Sequence, residues 1–273
     1  MRLNRSEILK IVSGKVLSNE PMSKHTTFRI GGPCDFYVEV KTASELEQLV
    51  KLCLLKKIHY CVIGFGSNIL VKDKGVSGII IRLTGALSGL NFGSKKSSIV
   101  AGGGCSLQLF VKKCADNGLS GAEALVGIPG TVGGAVVMNA GTKDGCIGSL
   151  IKSITVVNDK GEIKKIGKKL LKFSYRNSNI SPKNIIISSE FSLKKKSKYT
   201  ITDDLHRLVE HRAKTQPIGL GNAGCTFKNP VGNYAARLID KAGLKGMFIG
   251  GAVISQLHAN FINNTGNATA GDV

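Results

Sequence analysis

The stretch Leu125-Val126-Gly127-Ile128-Pro129-Gly130-Thr131-Val132-Gly133-Gly134-Ala135-Val136-Val137-Met138-Asn139-Ala140-Gly141 constrains the chain most. Its apolar run is broken by five glycines and a proline, which disrupt the helix that a bilayer span requires. Side chains that hydrogen-bond are almost absent before Asn139, so the polar surface of the stretch is its own backbone. Glycine lets successive N–H groups face one concavity and lets a ligand approach the main chain closely. A phosphate suits such a nest; a tightly packed core turn is the other reading. A second glycine turn, Gly64-Phe65-Gly66-Ser67-Asn68, favours the ligand. It follows a buried strand expected at Tyr60–Ile63 and begins as G-x-G, but Ile69 stands at the third fingerprint position. Ile69–Val71 reads as a further strand, whereas a dinucleotide fingerprint opens a helix. A Rossmann fold is therefore disfavoured. The backbone of this turn, with the Ser67 hydroxyl and the Asn68 amide, is still suited to an anion.

With 273 residues the chain suffices for one large or two ordinary domains. Its net charge of +20 and pI of about 9.8 raise three partners: nucleic acid, a membrane surface and anionic small molecules. The lysines are mostly scattered. The clusters Lys164-Lys165, Lys168-Lys169 and Lys194-Lys195-Lys196 with Lys198 lack interleaved aromatics and stand beside turns, which reads as solvated surface. Neither a nucleic-acid nor a membrane partner is expected. The seven cysteines are odd in number and form no C-x-x-C pair. Several lie in apolar runs, as Cys61 does in His59-Tyr60-Cys61-Val62-Ile63. They read as reduced, mostly buried thiols of a cytoplasmic protein without a metal site. No apolar segment follows Met1–Glu7, so no secretion signal is expected.

Taken in order, the pattern predicts a short helix over Ser6–Val16, a strand at Asp35–Val40, and a helix from a Thr42 cap to about Lys56. Strands follow at Gly78–Leu83 and Ser98–Ala101, then a helix over Ser106–Asn117 with Ser106 as its cap. Beyond the glycine-rich stretch, strands are expected at Ile151–Asn158, Glu162–Ile166 and Ile185–Phe191, with Asp159-Lys160-Gly161 as a hairpin turn. Helices are expected at Asp203–Ala213 and Asn233–Ala242, and composition changes near Thr215-Gln216-Pro217. Thr269 reads as a helix cap four residues before the last residue, which suggests a missing C-terminal segment.

Five motifs now stand in order: Gly64-Phe65-Gly66-Ser67-Asn68, Ile128-Pro129-Gly130-Thr131-Val132-Gly133-Gly134, Ser174-Tyr175-Arg176-Asn177-Ser178, Ala223-Gly224-Cys225-Thr226-Phe227-Lys228-Asn229-Pro230 and His258-Ala259-Asn260-Phe261. Together they make the chain, from about Thr26 onward, resemble the MurB-type UDP-N-acetylenolpyruvoylglucosamine reductases, flavoenzymes of peptidoglycan precursor synthesis. The resemblance implies an α+β fold with a two-lobed FAD-binding domain of the vanillyl-alcohol-oxidase type. The lobes would comprise residues 1–83 and 84–213, followed by a C-terminal α+β substrate-binding domain at 214–273. The short Pro230–Ala236 connection resembles the form of the family without an extra tyrosine-bearing loop.

The implied reaction reduces an enolpyruvyl ether to a lactyl ether, with FAD as cofactor, NADPH as reductant and a UDP-sugar as the small-molecule partner of a monomer. The resemblance places FAD on Gly64, Gly66, Ser67, Asn68, Pro129, Gly130, Thr131, Gly133, Gly134 and Asn139, with its pyrophosphate on the two glycine loops. It assigns Arg176 as the cation facing the substrate carboxylate, with Tyr175 beside it, and Cys225 as the acid that protonates C2. A fixed guanidinium suits a carboxylate that gains charge, and an ordinary thiol with a pKa of about 8.5 is mostly protonated near neutrality. Lys228 and Asn229 are candidate contacts of the UDP-sugar, and Gln216, His258 and Asn260 are further substrate-contact candidates.

Three departures accompany the resemblance. Cysteine stands at 225 where the family more often has serine. No aromatic follows the turn Asn139-Ala140-Gly141. The chain ends before the strand in which the family carries a catalytic glutamate. The last departure leaves a catalytically impaired flavin-binding remnant, or another flavoprotein oxidoreductase of the same fold, as the alternative reading.

Overall fold

The computed structural model describes residues 3–93 and 97–273. It forms two compact units: Met1–Ser18, Phe36–Gly64 and Gly78–Val209 make one, and Asn19–Asp35, Phe65–Ser77 and Glu210–Val273 the other.

The first unit opens with α1 (Arg5–Leu9), capped by Asn4, whose side chain accepts from the Glu7 N–H while Glu7 accepts from the Asn4 N–H. The helix is shorter than the expected Ser6–Val16. Gly14 lies flush against the next strand, where a Cβ would stand 2.0 Å from the Glu39 carbonyl oxygen, and the chain there turns into β1 (Val16–Pro21). β2 (Pro33–Val40) buries Cys34, Tyr37, Val38 and Val40. In α2 (Ala43–Lys56), Thr42 caps the Glu45 N–H as expected, and Leu46, Leu49, Val50 and Cys53 bury one stripe. The Glu45 carboxylate accepts from Lys41 N–H at 2.7 Å, one residue before the cap. Lys57, at φ 55°, ends the helix in the left-handed region.

β3 (Tyr60–Ile63) runs parallel to β4 (Val76–Leu83), completing a sheet of order β1-β2-β4-β3. Cys61 is exposed, contrary to its apolar surroundings in sequence, although strand alternation puts it on the same face as the buried Ile63. The buried side chains of this sheet and α2, among them Val38, Val40, Leu49, Ile79 and Ile81, form one hydrophobic cluster.

The second sheet of this unit is built from β5 (Leu90–Phe92), β6 (Ser98–Gly102) and later strands, and α3 (Leu107–Asp116) packs on it behind its Ser106 cap. After the short β7 (Leu119–Ser120), the glycine-rich stretch forms a six-residue helix, α4 (Val132–Val137). A two-stranded ribbon, β8 (Gly141–Thr142) and β9 (Gly145–Cys146), leads to β10 (Ile151–Val157) and β11 (Ile163–Gly167). The β10–β11 hairpin turns at Asp159-Lys160-Gly161 as expected. The Asn158 side chain accepts from both Lys160 and Glu162 N–H at 2.9 Å, and Gly161 takes φ 72°.

The two-residue strands β12 (Phe173–Ser174) and β13 (Asn177–Ser178) form a separate hairpin, and β14 (Ile185–Ser192) completes the sheet order β11-β10-β14-β6-β5, antiparallel throughout. Phe110 of α3 and Phe191 of β14 anchor this core with ring centroids 4.5 Å apart. Each such fully buried side chain contributes roughly 1.5–3 kcal/mol. β15 (Lys194–Lys195) pairs with β7. Then α5 (Lys198–Thr215) runs five residues further towards the N-terminus than the expected Asp203 start. The β-branched run Thr200-Ile201-Thr202 argues against helix, but burial of Ile201 overrides local propensity.

In the second unit, α6 (Ala235–Lys241) precedes an antiparallel sheet of β16 (Phe248–Ile249), β17 (Ala252–Ile254) and β18 (Ile262–Asn264). Side chains lace its three chain segments together. Thr27 Oγ1 donates to Asn222 O at 2.7 Å, Asn264 Nδ2 to Phe28 O at 2.9 Å, and Asp73 accepts from the Ala270 and Gly271 amides at 2.8 and 3.0 Å. Ile69–Val71, expected as a strand, belongs to a loop of this unit instead. Its chain finds no ladder partner, and Val71 packs on Gly31 rather than into a sheet. Thr269 and Asp272 bond reciprocally, as a capping pair does, at 2.8 and 3.1 Å. Among the described residues no helix is long and apolar enough to cross a membrane.

Candidate active site

In the first unit the glycine loops pack together through Gly64. A Cβ there would lie 2.6 Å from Thr131 Oγ1. Thr131 is buried and caps α4, accepting from the Gly134 N–H at 3.5 Å. The expectation that successive amides of this stretch face one open concavity needs correction. Val132 N–H donates to Cys105 O at 2.8 Å and Gly133 N–H to Gly103 O at 2.9 Å, so both amides fasten the loop to the preceding Gly103-Gly104-Cys105 segment. Gly133 serves this packing directly, since a Cβ on it would stand 2.9 Å from Gly103 O. Gly130 holds φ 139°, and its carbonyl accepts from Leu107 N–H at 3.0 Å. No acidic side chain occurs in 125–141 or 64–72, so neither glycine loop carries a carboxylate to repel a phosphate.

Asn139 sits at the C-terminal end of α4, buried, with φ 44°. Both ends of its amide are engaged inside the fold, so Asn139, expected among the flavin contacts, holds neighbouring backbone instead. Oδ1 accepts from Gly148 N–H at 3.1 Å, and Nδ2 donates to Ser174 O at 2.8 Å. Ser174 begins the tight turn of the β12–β13 hairpin, whose two central residues are Tyr175 and Arg176. Arg176 holds φ 53° while Tyr175 keeps a negative φ, so the left-handed residue stands at the second central position, as in a type II turn, where glycine is usual. Tyr175 is exposed, and its ring lies 5.7 Å from the Arg176 guanidinium carbon. A second tie, Ser178 Oγ to Val137 O at 2.7 Å, joins the same hairpin to α4. The Asn139–Ser174 bond was not legible in sequence; the only hint was an asparagine before Ala140-Gly141, a residue type that tolerates the left-handed region.

The remaining candidates fall in the second unit. Gly66 has φ 63° and passes so close to the chain at 25–26 that a Cβ would stand 2.2 Å from His25 O. Ser67 is half-buried and Asn68 exposed. Cys225 is exposed and bridges to Phe261, which sets the 225–228 segment beside 258–261. Thr226 N–H donates to Asn260 O at 2.9 Å. The Asn260 side chain, buried, pairs with both backbone groups of Phe227, at 2.9 Å and 2.8 Å. Asn260 therefore holds the Cys225–Lys228 segment rather than presenting its amide to solvent. His258 Nδ1 accepts from Asn260 N–H at 3.3 Å, its ring meets Phe261 edge-on at 4.8 Å, and burial lowers its pKa. Asn229 Oδ1 accepts from Ala235 N–H at 3.0 Å, supplying the α6 cap that Tyr234 lacks. Lys228 is exposed, and Gln216 is half-buried at the end of α5. Among the described residues no group of three or more His, Cys, Asp or Glu is arranged to hold a metal.

Comparison with known proteins bears on the same segments. Residues 34–167 match the family model described as "FAD binding domain", and residues 216–273 that of "UDP-N-acetylenolpyruvoylglucosamine reductase, C-terminal domain". The UDP-N-acetylenolpyruvoylglucosamine reductase of Desulfosudis oleivorans is 39% identical over 280 residues, covering 98% of this chain and 90% of the relative. That of Anoxybacillus flavithermus is 40% identical over 271 residues, with 98% and 89% coverage. The crystal structure of the Thermus caldophilus reductase superposes with a TM-score of 0.83 at 38% identity, over 95% of this chain and 91% of that one. The 6-hydroxy-D-nicotine oxidase of Arthrobacter nicotinovorans shares the fold at 16% identity and a TM-score of 0.50, over 67% of this chain and 43% of that one. The expected α+β architecture, an FAD-binding domain followed by a C-terminal domain of the reductase type, is the one found. With such identity over nearly its whole length, the chain belongs to the UDP-N-acetylenolpyruvoylglucosamine reductase family.

Proposed function

We propose that this protein is an FAD-dependent reductase that uses NADPH to convert UDP-N-acetylenolpyruvoylglucosamine to UDP-N-acetylmuramate. The observation that carries the reading is family membership over 98% of the chain, supported by the tyrosine–arginine and Cys225 motifs in its sequence. The residues present suit FAD: two glycine loops free of carboxylates, with Gly64 seated against Thr131 where a side chain would not fit, favour a diphosphate. Gly64, Gly66, Ser67, Asn68 and the 129–134 loop would hold it. The chemistry that FAD supplies when bound is hydride carriage, from NADPH to C3 of the enolpyruvyl group.

The chain's own residues do the rest. Arg176 faces the substrate carboxylate and stabilises the negative charge that spreads into it from C2. Cys225 gives its thiol proton to C2, completing addition of two hydrogens across the double bond. Lys228, an exposed point charge, binds the diphosphate of the sugar nucleotide. Tyr175, Gln216, Asn229, His258 and Asn260 shape the substrate site, with Asn229 and Asn260 acting through the backbone that their side chains hold. Functionally, residues 1–83 and 84–213 serve as the flavin-binding lobes and 214–273 as the substrate-binding domain, in a cytoplasmic monomer.

The test is reconstitution with FAD followed by NADPH. Bleaching of the flavin absorbance, and its return on adding UDP-N-acetylenolpyruvoylglucosamine with formation of a product two hydrogens heavier, is the expected result. Bound flavin that NADPH cannot bleach overturns the reading.

A further inference from the structure

We propose that Asn139 is a positioning residue for Arg176. The inference rests on the reading above, that Arg176 meets the substrate carboxylate. Arg176 occupies a two-residue turn in a left-handed conformation at φ 53°, on strands of only two residues each. So short a ribbon is marginal on its own. What fixes it is its attachment to the end of α4. Asn139 Nδ2 donates to Ser174 O, the carbonyl just before the turn, at 2.8 Å, and Ser178 Oγ donates to Val137 O just after it, at 2.7 Å.

Asn139 is in turn held from behind. Its Oδ1 accepts from Gly148 N–H at 3.1 Å, and a Cβ at Gly148 would collide with both the Asn139 Oδ1 and the Phe173 ring, at 2.7 and 2.5 Å. The buried amide of Asn139 thus ties Ser174, two residues before Arg176, to the backbone at Gly148. Because Thr131, the N-cap of α4, lies beside Gly64, the same helix carries the glycine loop at one end and the arginine hairpin at the other. Asn139 itself touches neither carboxylate nor hydride donor in this account; it acts through the Ser174 carbonyl.

Two variants separate the amide from the backbone conformation. Asn139→Gly keeps the left-handed φ without strain but removes both side-chain bonds. Asn139→Asp keeps the acceptor for Gly148 N–H but sets an oxygen against Ser174 O. In both, reoxidation of NADPH-reduced enzyme by UDP-N-acetylenolpyruvoylglucosamine is expected to slow about 10- to 100-fold, as a misplacement of about 1 Å can do. The loss is expected in kcat more than in KM. FAD affinity, measured by flavin fluorescence, and the rate of reduction by NADPH should stay within about threefold of wild type.

A readout independent of turnover is trypsin cleavage of the apo-protein at Arg176–Asn177, followed by mass spectrometry. It should accelerate about tenfold relative to cleavage elsewhere, as expected when the hydrogen bonding that holds the turn is lost. If Asn139→Gly fails to fold, Asn139→Asp carries the same comparison. Unchanged reoxidation and cleavage in the folded variants overturn the proposal, as does an equal loss in FAD affinity, reduction and reoxidation. Arg176→Ala keeps the two failures apart. If it leaves reoxidation intact, the role given to Arg176 is wrong; if it slows reoxidation and the Asn139 variants do not, only the positioning role is wrong.

Discussion

The buried amide of Asn260 completes a two-bond pair with the backbone of Phe227, accepting its N–H at 2.9 Å and donating to its carbonyl at 2.8 Å. A side chain thus supplies what a neighbouring strand would supply, two residues from Cys225. Replacing Asn260 by Ala leaves both Phe227 groups without these partners. It is expected to cost roughly 2–3 kcal/mol, at about 1–1.5 kcal/mol per bond. Urea denaturation of the FAD-free protein measures this, and a cost within 0.5 kcal/mol of zero, a threshold of about the error of such data, contradicts it.

Thiol reactivity separates the cysteines. Cys61 and Cys225 are exposed, whereas Cys34, Cys53, Cys105 and Cys114 are buried. Burial pushes those four thiols up to about 11, 12, 11 and 12 respectively. Burial also raises the thiol of Cys61, so brief iodoacetamide treatment of the native protein should label Cys225 first, Cys61 more slowly, and spare these four, as peptide mapping would read out. Labelling should abolish turnover in wild type and in Cys61→Ser alike, because the loss belongs to Cys225.

Glu190 offers a pH test. The Lys152 ammonium, bonded to it at 2.6 Å, is the main cause that brings its carboxyl down to about 2 from an ordinary 4.5, with Ser153 and Lys165 adding to it. A carboxyl lowered on folding stabilises the protein above its unfolded pKa. That contribution is lost as pH falls from about 4.5 towards 2. Allowing for solvent screening of lysines that are half exposed or more, Glu190→Gln should cost about 1–2 kcal/mol at pH 7. The difference should shrink as pH falls to 2, where the native carboxyl is half protonated, and approach zero below it; a difference that persists below pH 2 contradicts the assignment.

Gly64 tests the glycine cradle. A methyl there meets Thr131 Oγ1 at 2.6 Å, and the hydroxyl must leave the Gly134 N–H that it caps. Gly64→Ala should cost about 1 kcal/mol in stability for the cap. It should also weaken FAD about tenfold or more, as flavin fluorescence titration reads out. Thr131→Gly in the Gly64→Ala background removes the colliding hydroxyl and should recover part of the affinity.

Much of the fold follows from local rules that the sequence states openly. Thr42, Ser106 and the 3.6-residue stripe through Leu46, Leu49, Val50 and Cys53 mark helices, and Asp159-Lys160-Gly161 marks a hairpin. What escaped reading depends on residues far apart in the chain. Ile69–Val71 has strand composition but no ladder to join, and α5 extends through poor helix formers because Ile201 is buried. The amides of Val132 and Gly133 look free in sequence, yet carbonyls nearly thirty residues earlier take them, as the Cys105 and Gly103 bonds show. Arg176 and Cys225 were legible as motif positions. The asparagines that hold their segments, Asn139 and Asn260, read as ligand contacts, because nothing local reveals that Ser174 and Phe227 use up their amides.

The central claim is that the FAD-loaded protein passes hydride to UDP-N-acetylenolpyruvoylglucosamine with Arg176 and Cys225 acting on the substrate. Anaerobic stopped-flow tests it directly: enzyme reduced by NADPH is mixed with that substrate while flavin absorbance is followed. Rapid reoxidation is expected, slowed roughly 10²–10⁴-fold by Cys225→Ala and roughly 10²–10³-fold by Arg176→Ala. Flavin that stays reduced after mixing, although FAD is bound and NADPH reduces it, would contradict the account.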